Sequence, residues 1–150
     1  MDTTDRKIIG ILSTDARRSL ADIGAEIGLS ASATNERIRR LTANGSIRRF
    51  TIDADPAACG VPVLAFVCVA LAPEADESAF RAYAAASPLI AECHHVTGQW
   101  SYLVKVHVGS LPDLEAFLAD LKARRFIARS ETIIALSSVG NAPFIPGGIV

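Results

Sequence analysis

The residues best suited to chemistry lie at helical spacing between Ser30 and Arg40, followed by an arginine pair at Arg48 and Arg49. Thr34, Ile38 and Leu41 recur at i, i+4 and i+7, the spacing of an inward-facing stripe. Ser32, Asn35, Glu36 and Arg39 then point outward, flanked by Arg37 and Arg40. Ser30 stands where a helix cap belongs. Ser32 and Asn35 are short and near the helix start, the part of a groove-bound helix that reaches base edges. Asn pairs bidentately with adenine, and Arg with guanine or phosphate. Arg48 and Arg49 suit phosphates, which give affinity without sequence information. Ser30, Ser32, Asn35, Arg37, Arg39, Arg40, Arg48 and Arg49 therefore form a candidate surface for double-stranded DNA. The competing reading is a solvated arginine face on a three-helix core. Glu36 on that face, and its lack of aromatic residues, favour the competing reading.

A second cluster, Cys93-His94-His95, invites a metal. In a strand, Cys93 and His95 share one face and His94 points away. No further ligand stands at a suitable spacing, so no metal site is expected. Cys59, Cys68 and Cys93 are an odd count without a CxxC pair, which argues against a disulfide framework and fits a reducing compartment. Cys59 and Cys68 read as buried small apolar groups. Trp100, the single tryptophan, reads first as a packing residue at a dimer interface. No Ser-His-Asp set, paired carboxylates or glycine-rich phosphate loop is visible, so no enzyme and no cofactor is expected.

These side chains need elements to hold them. The chain has 150 residues with 15 Lys and Arg against 16 Asp and Glu. Residues 1–50 carry nine basic and six acidic side chains, a net +3, and residues 51–150 carry six and ten, a net −4. The near-neutral average hides a basic cluster in the first third. There, Ile8, Ile9 and Leu12 predict one helix, and Ser19 caps a second that carries Leu20, Ile23 and Ile27 and stops at Gly28. Ser30 starts a third that ends at Asn44-Gly45. Two short helices around Gly28-Leu29-Ser30 are a helix-turn-helix signature. Ile47 to Ile52 alternates enough for a strand, turned by Asp53 to Pro56, which makes a wing.

The remainder reads as strand, helix, strand, strand, helix, strand: Pro62–Leu71, Glu74–Ala86, Ile90–Thr97, Trp100–Val108, a helix capped by Ser110, and Ile127–Leu136. That order is the ferredoxin-like βαββαβ motif. The expected fold is α+β: a winged helix-turn-helix domain over residues 1–55, a ferredoxin-like domain over 56–140, and an irregular tail over 141–150. Helices on one sheet face leave the other bare, so a dimer is expected. The acidic N-terminus does not read as a signal peptide, and the longest apolar run, Val61–Ala72, is 12 residues against the roughly 20 that span a bilayer. The expected location is the cytoplasm, away from membranes.

The chain resembles the Lrp/AsnC (leucine-responsive) transcriptional regulators over about residues 2–139. The likeness is carried by Asp5-Arg6-Lys7-Ile8-Ile9 and by Leu29-Ser30 through Arg37-Ile38, Leu41 and Asn44-Gly45-Ser46-Ile47. It is carried also by Glu92-Cys93-His94-His95-Val96-Thr97-Gly98 followed by Tyr102-Leu103-Val104-Lys105-Val106. The resemblance implies sequence-specific binding to promoter DNA, a dimer through the C-terminal sheets that can build octamers, and an amino acid or related metabolite bound between C-terminal domains. By position, the effector loop is Gly98, Gln99, Trp100, Ser101 and Tyr102, closed by Thr132 and Ile134 from a neighbouring subunit. The family reads Gly-x-x-Asp-Tyr where this chain has Gly98-Gln99-Trp100-Ser101-Tyr102. Serine cannot supply charge-assisted pairing to an ammonium group, so altered or weakened effector binding is expected. The alternatives are a sensing or assembly module with weak DNA binding, and an enzyme resembling the sirohaem decarboxylases. The latter needs a haem-facing His and Arg cluster, and only His95 and His107 stand on the strands concerned.

Overall fold

The computed structural model describes residues 1–139. The tail expected at 141–150 lies outside them. The described chain divides into two compact units, Met1–Asp53 and Ala54–Val139.

The first unit holds three helices, α1 (Thr3–Thr14), α2 (Leu20–Ile27) and α3 (Ala31–Ala43). Each starts where a side chain satisfies an orphan backbone N–H. Asp2 caps α1 by accepting from the Asp5 N–H, Ser19 caps α2 by accepting from Asp22, and Ser30 caps α3 by accepting from Ala33. Gly28 ends α2 in the left-handed conformation, at φ 74°. Ile8, Ile23 and Leu41, one from each helix, form the buried core, with Ile38, Ile27 and Leu12 packed around it. Thr34 is fully buried, its hydroxyl bonded to the Ser30 carbonyl at 2.9 Å.

The strand expected over Ile47–Ile52 does not form. Ile47 packs on the core and its N–H reaches the Leu41 carbonyl at 2.9 Å, but beyond it Phe50 and Ile52 are exposed. An alternating pattern makes a strand only with a partner ladder, and the returning segment cannot supply one. The carbonyls of Asp55 and Pro56 take the N–H groups of Cys59 and Val61, which curls this stretch into turns. The hairpin of the expected wing is therefore missing among the described residues.

The second unit is a four-stranded antiparallel sheet in the order β2-β3-β1-β4, with β1 Val63–Leu71, β2 Ile90–His95, β3 Tyr102–Val108 and β4 Ile127–Ile134. Helices α4 (Glu77–Ala86) and α5 (Leu111–Ala123) complete the βαββαβ order. The pleat sorts the side chains. Ala65, Val67 and Val69 of β1 and Tyr102, Val104, Val106 and Val108 of β3 are buried with Phe80, Leu114, Phe117 and Leu121 of the helices. Leu64, Phe66, Cys68, Leu103, Lys105 and His107 alternate onto the opposite, open face, where they are only half-buried. Helix α4 starts three residues later than the pattern suggested, because Asp76 rather than an earlier residue accepts the Ala79 N–H. Strand β2 is short and slips register between Ile90 and Glu92.

Gly24 is buried in α2 because a side chain there has no room. A Cβ would stand 2.5 Å from the Leu29 carbonyl oxygen and 3.1 Å from Thr34 Oγ1. The turn backbone itself closes onto this glycine, with the Leu29 N–H bonded to the Gly24 carbonyl at 2.8 Å. Gly24→Ala should destabilise the chain by about 1–3 kcal/mol through overpacking, although alanine is the better helix former by ~1 kcal/mol. Urea unfolding followed by helical circular dichroism checks this, and unchanged or raised stability would contradict it.

Candidate nucleic-acid interface and effector loop

Helix α3 presents two polar stripes with different fates. Ser32, Asn35, Glu36 and Arg39 are exposed. Ser30, the cap, is exposed with its hydroxyl oxygen accepting from Ala33. Arg37 and Arg40 instead turn toward α1. Arg37 Nη1 donates to Asp2 Oδ2 at 2.7 Å and to Asp5 Oδ1 at 2.8 Å, and Arg40 Nη2 donates to both Asp5 oxygens at 3.1 and 3.2 Å. Asp5 is the centre of this network, its side chain 4 % exposed. The Asp2 N–H also donates to it, closing a reciprocal capping box. Burial alone would raise the Asp5 pKa, but the hydrogen bonds from Arg37 and the Asp2 backbone outweigh it and hold the carboxyl below its ordinary value. Asp2 is lowered too, chiefly by Arg37.

The candidate cations are thus unequal. Arg37 is mostly covered by its ion pairs, whereas the Arg40 side chain remains 57 % exposed while paired. Arg39, Arg48 and Arg49 are exposed and have no ion pair among the described residues. Sequence reasoning noticed Asp5 but missed its role. The available signal was the Asp2-x-x-Asp5 capping spacing; the partners lie more than thirty positions away.

The candidate effector loop runs from Gly98, at φ 103°, to Ser101. The Arg129 guanidinium lies 4.4 Å from the centre of the Trp100 ring and reaches the Gln99 carbonyl at 3.4 Å. Cation–π contact of this kind orients both side chains. Ser101 is tied into the sheet: its N–H donates to Val69 at 2.8 Å and its Oγ accepts the Leu71 N–H at 3.1 Å. Tyr102 departs from the expected loop. It is the first residue of β3, 3 % exposed, with its ring among Phe80 and His95 and its hydroxyl donating to Glu77. Thr132 and Ile134 pair with Val67 and Ala65 and so lie on the helix side of edge strand β4. Within one chain it is Arg129, not these two, that meets the loop.

Cys93 and His95 lie on the helix side of β2, while His94 is on the open face, bonded to Glu92 at 3.0 Å. Among the described residues no three His, Cys, Asp or Glu side chains converge to hold a metal ion, and no helix is long and apolar enough to cross a membrane.

The depressed Asp5 pKa makes a signed prediction. A carboxylate whose folded pKa lies below its unfolded value of about 3.9 contributes stability that is fully present above that value. The contribution is lost as pH falls through the folded pKa. Asp5→Asn should cost ~2–4 kcal/mol at pH 7, and the gap from wild type should close below about pH 4. Urea titrations at pH 7, 4 and 3 measure this; a gap independent of pH would assign the loss to packing instead.

The AsnC-type helix-turn-helix domain family matches residues 1–42, and the Lrp/AsnC ligand binding domain family matches residues 64–143. The chain is 33 % identical over 146 residues to the HTH-type transcriptional regulator FL11 of Pyrococcus horikoshii, covering 97 % of this chain and 96 % of that protein. It is 33 % identical over 118 residues to the HTH-type transcriptional regulator LrpC of Bacillus subtilis, covering 79 % and 81 %. The crystal structure of an AsnC family transcriptional regulator from Agrobacterium tumefaciens superposes with a TM-score of 0.88 at 28 % identity, covering 97 % of each chain. With its three capped helices and βαββαβ sheet, this chain belongs to the Lrp/AsnC family of DNA-binding transcriptional regulators.

Proposed function

We propose a division of labour in which residues 1–55 read promoter DNA and residues 56–140 sense a small molecule and assemble copies of the chain. Helix α3 is the reading helix. Ser32, Asn35 and Arg39 address base edges, Ser30 holds the helix start open to a phosphate, and Arg48 and Arg49 take phosphates on either side. Arg37 and Arg40 position α3; Arg40, still half in solvent, can add a phosphate contact. The observation that carries this reading is the split of α3: its Ser32–Asn35–Arg39 face is exposed, while its other cations are engaged by Asp5.

Two copies related by a two-fold axis present two reading helices to successive major grooves, about one helical turn of DNA apart. The open sheet face, with half-buried Leu64, Phe66 and Leu103 and exposed Ile133, supports a dimer through the sheets. Dimers can build octamers. The effector is an amino acid or related metabolite held at Gly98, Gln99, Trp100 and Ser101, with Thr132 and Ile134 of a neighbouring subunit closing the site. The ionised side chain seen against this loop among the described residues is Arg129. Ser101 gives its hydroxyl oxygen to Leu71, so an ammonium group finds no carboxylate here, which supports a ligand class altered from a simple amino acid. The ligand acts by binding one assembly more tightly than another.

On a mapped promoter site, Asn35→Ala and Arg39→Ala should each cost about 1–3 kcal/mol of specific binding and relax discrimination at one base position. Arg48→Ala should weaken specific and random DNA alike and reduce the salt slope by about 1. Arg37→Ala should lower thermal stability more than it lowers DNA affinity. Equal losses on specific and random DNA for all four variants would overturn these roles.

A further inference from the structure

The Cys93 and His95 side chains, unclaimed by the DNA surface or by the loop, line an open cavity of about 350 Å³ between α4 and β2, with Arg81, Ala85 and His95 themselves exposed. It is lined also by Arg81, Ala84 and Ala85 of α4 and by Ile90, Ala91 and Glu92 of β2. The floor includes Tyr102, whose ring stacks against His95 with centroids 5.1 Å apart.

Arg81 has no ion-pair partner among the described residues. That is unexpected from its own helix, because Glu77 stands four residues earlier, the spacing at which Glu and Arg ordinarily pair. The structure shows why they do not. The Glu77 carboxylate accepts the Tyr102 hydroxyl instead. Glu92 also lines the cavity, but its carboxylate is held on the opposite face of the sheet by Lys105 at 2.9 Å and His94 at 3.0 Å. Both acids that could neutralise Arg81 are therefore engaged elsewhere. The guanidinium remains on the lining of the cavity, close enough that Cys93 and Tyr102 both feel its charge.

We propose that this cavity binds a small aliphatic carboxylate within a single subunit, with the anion on Arg81 and the short carbon body against Ala84, Ala85 and Ile90. A planar guanidinium offers two parallel N–H groups, which matches one carboxylate. A phosphate needs more donors than one guanidinium and one imidazole supply. The alanine and isoleucine walls suit a body of a few carbons, and the volume lies at the low end for ligand sites. Burial raises the Cys93 thiol above its usual range, so it stays a neutral neighbour. With both acids engaged, an α-ammonium group has no partner, so the site favours a 2-oxo acid over the matching amino acid. This separates it from the loop at Gly98–Ser101. The two are joined in the chain, because Tyr102 directly follows Ser101.

The test titrates the full-length protein with 3-methyl-2-oxobutanoate and with L-valine by calorimetry. Alkylation of each cysteine is followed in parallel by peptide mass spectrometry. The oxo acid should bind, and should protect Cys93 but not Cys59. Arg81→Gln should weaken it about ten- to a hundredfold, the loss expected for hydrogen bonds to a charged group. Tyr102→Phe keeps the ring and frees Glu77 to pair with Arg81, so it too should weaken binding. Arg129→Gln, at the loop, should leave binding unchanged. No binding, no protection of Cys93, or wild-type affinity in Arg81→Gln would overturn the proposal. Loss in Arg129→Gln with retention in Arg81→Gln would do the same while supporting the loop as the effector site. Equal affinity for L-valine would overturn the selectivity.

Discussion

A buried carboxylate is costly unless every lone pair finds a donor, and Asp5 is the one charged side chain buried among the described residues. Two guanidinium groups and a backbone N–H meet that requirement. The constraint runs both ways. The arginines satisfy Asp5, and Asp5 fixes the roll of α3 about its own axis, because Arg37 and Arg40 are three residues apart on one stripe. Once that stripe is held against α1, the Ser32–Asn35–Arg39 stripe can face only outward. The basic cluster is thus smaller than its count of arginines suggests. Some of the positive charge of α3 is internal, which leaves fewer side chains free on its outward face.

The sheet unit depends on a different constraint, the two-residue period of β3. Tyr102 is where that period begins, and its parity sends the ring under α4 while Ser101 stays in the edge of the loop. The same parity, carried through the β2–β3 register, places Cys93 and His95 beside Tyr102 and puts His94 and Glu92 on the other face. One phenol hydroxyl then determines what Arg81 can do, because it holds the acid that would otherwise neutralise it. A single register links the loop, the cavity and the open face.

Much of this was legible because its causes are local. Ser19, Ser30 and Ser110 begin helices for a reason contained within four residues, and the alternation from Tyr102 to Val108 needs no knowledge of its partners. What depends on distant partners was not. Arg37 looks like any surface cation until Asp5 is beside it. Gly24 looks like a tolerated helix glycine until the Leu29 carbonyl is seen to close on it. Ile47 to Ile52 alternates like a strand, but alternation does not say whether a neighbour exists. Tyr102, assigned to the loop by position, belongs to the core by parity.

The register slip between Ile90 and Glu92 has a consequence for solubility. An open edge strand is a template on which another chain can add its own backbone, and long flat edges invite uncontrolled growth. Strand β2 is six residues long, kinked near its start, and carries Glu92, whose carboxylate is bonded both to Lys105 and to His94. A strand arriving there would have to follow the kink and bury those charges. The sheet is therefore a poor seed along β2, and the proposed dimer through its open face needs no edge pairing there.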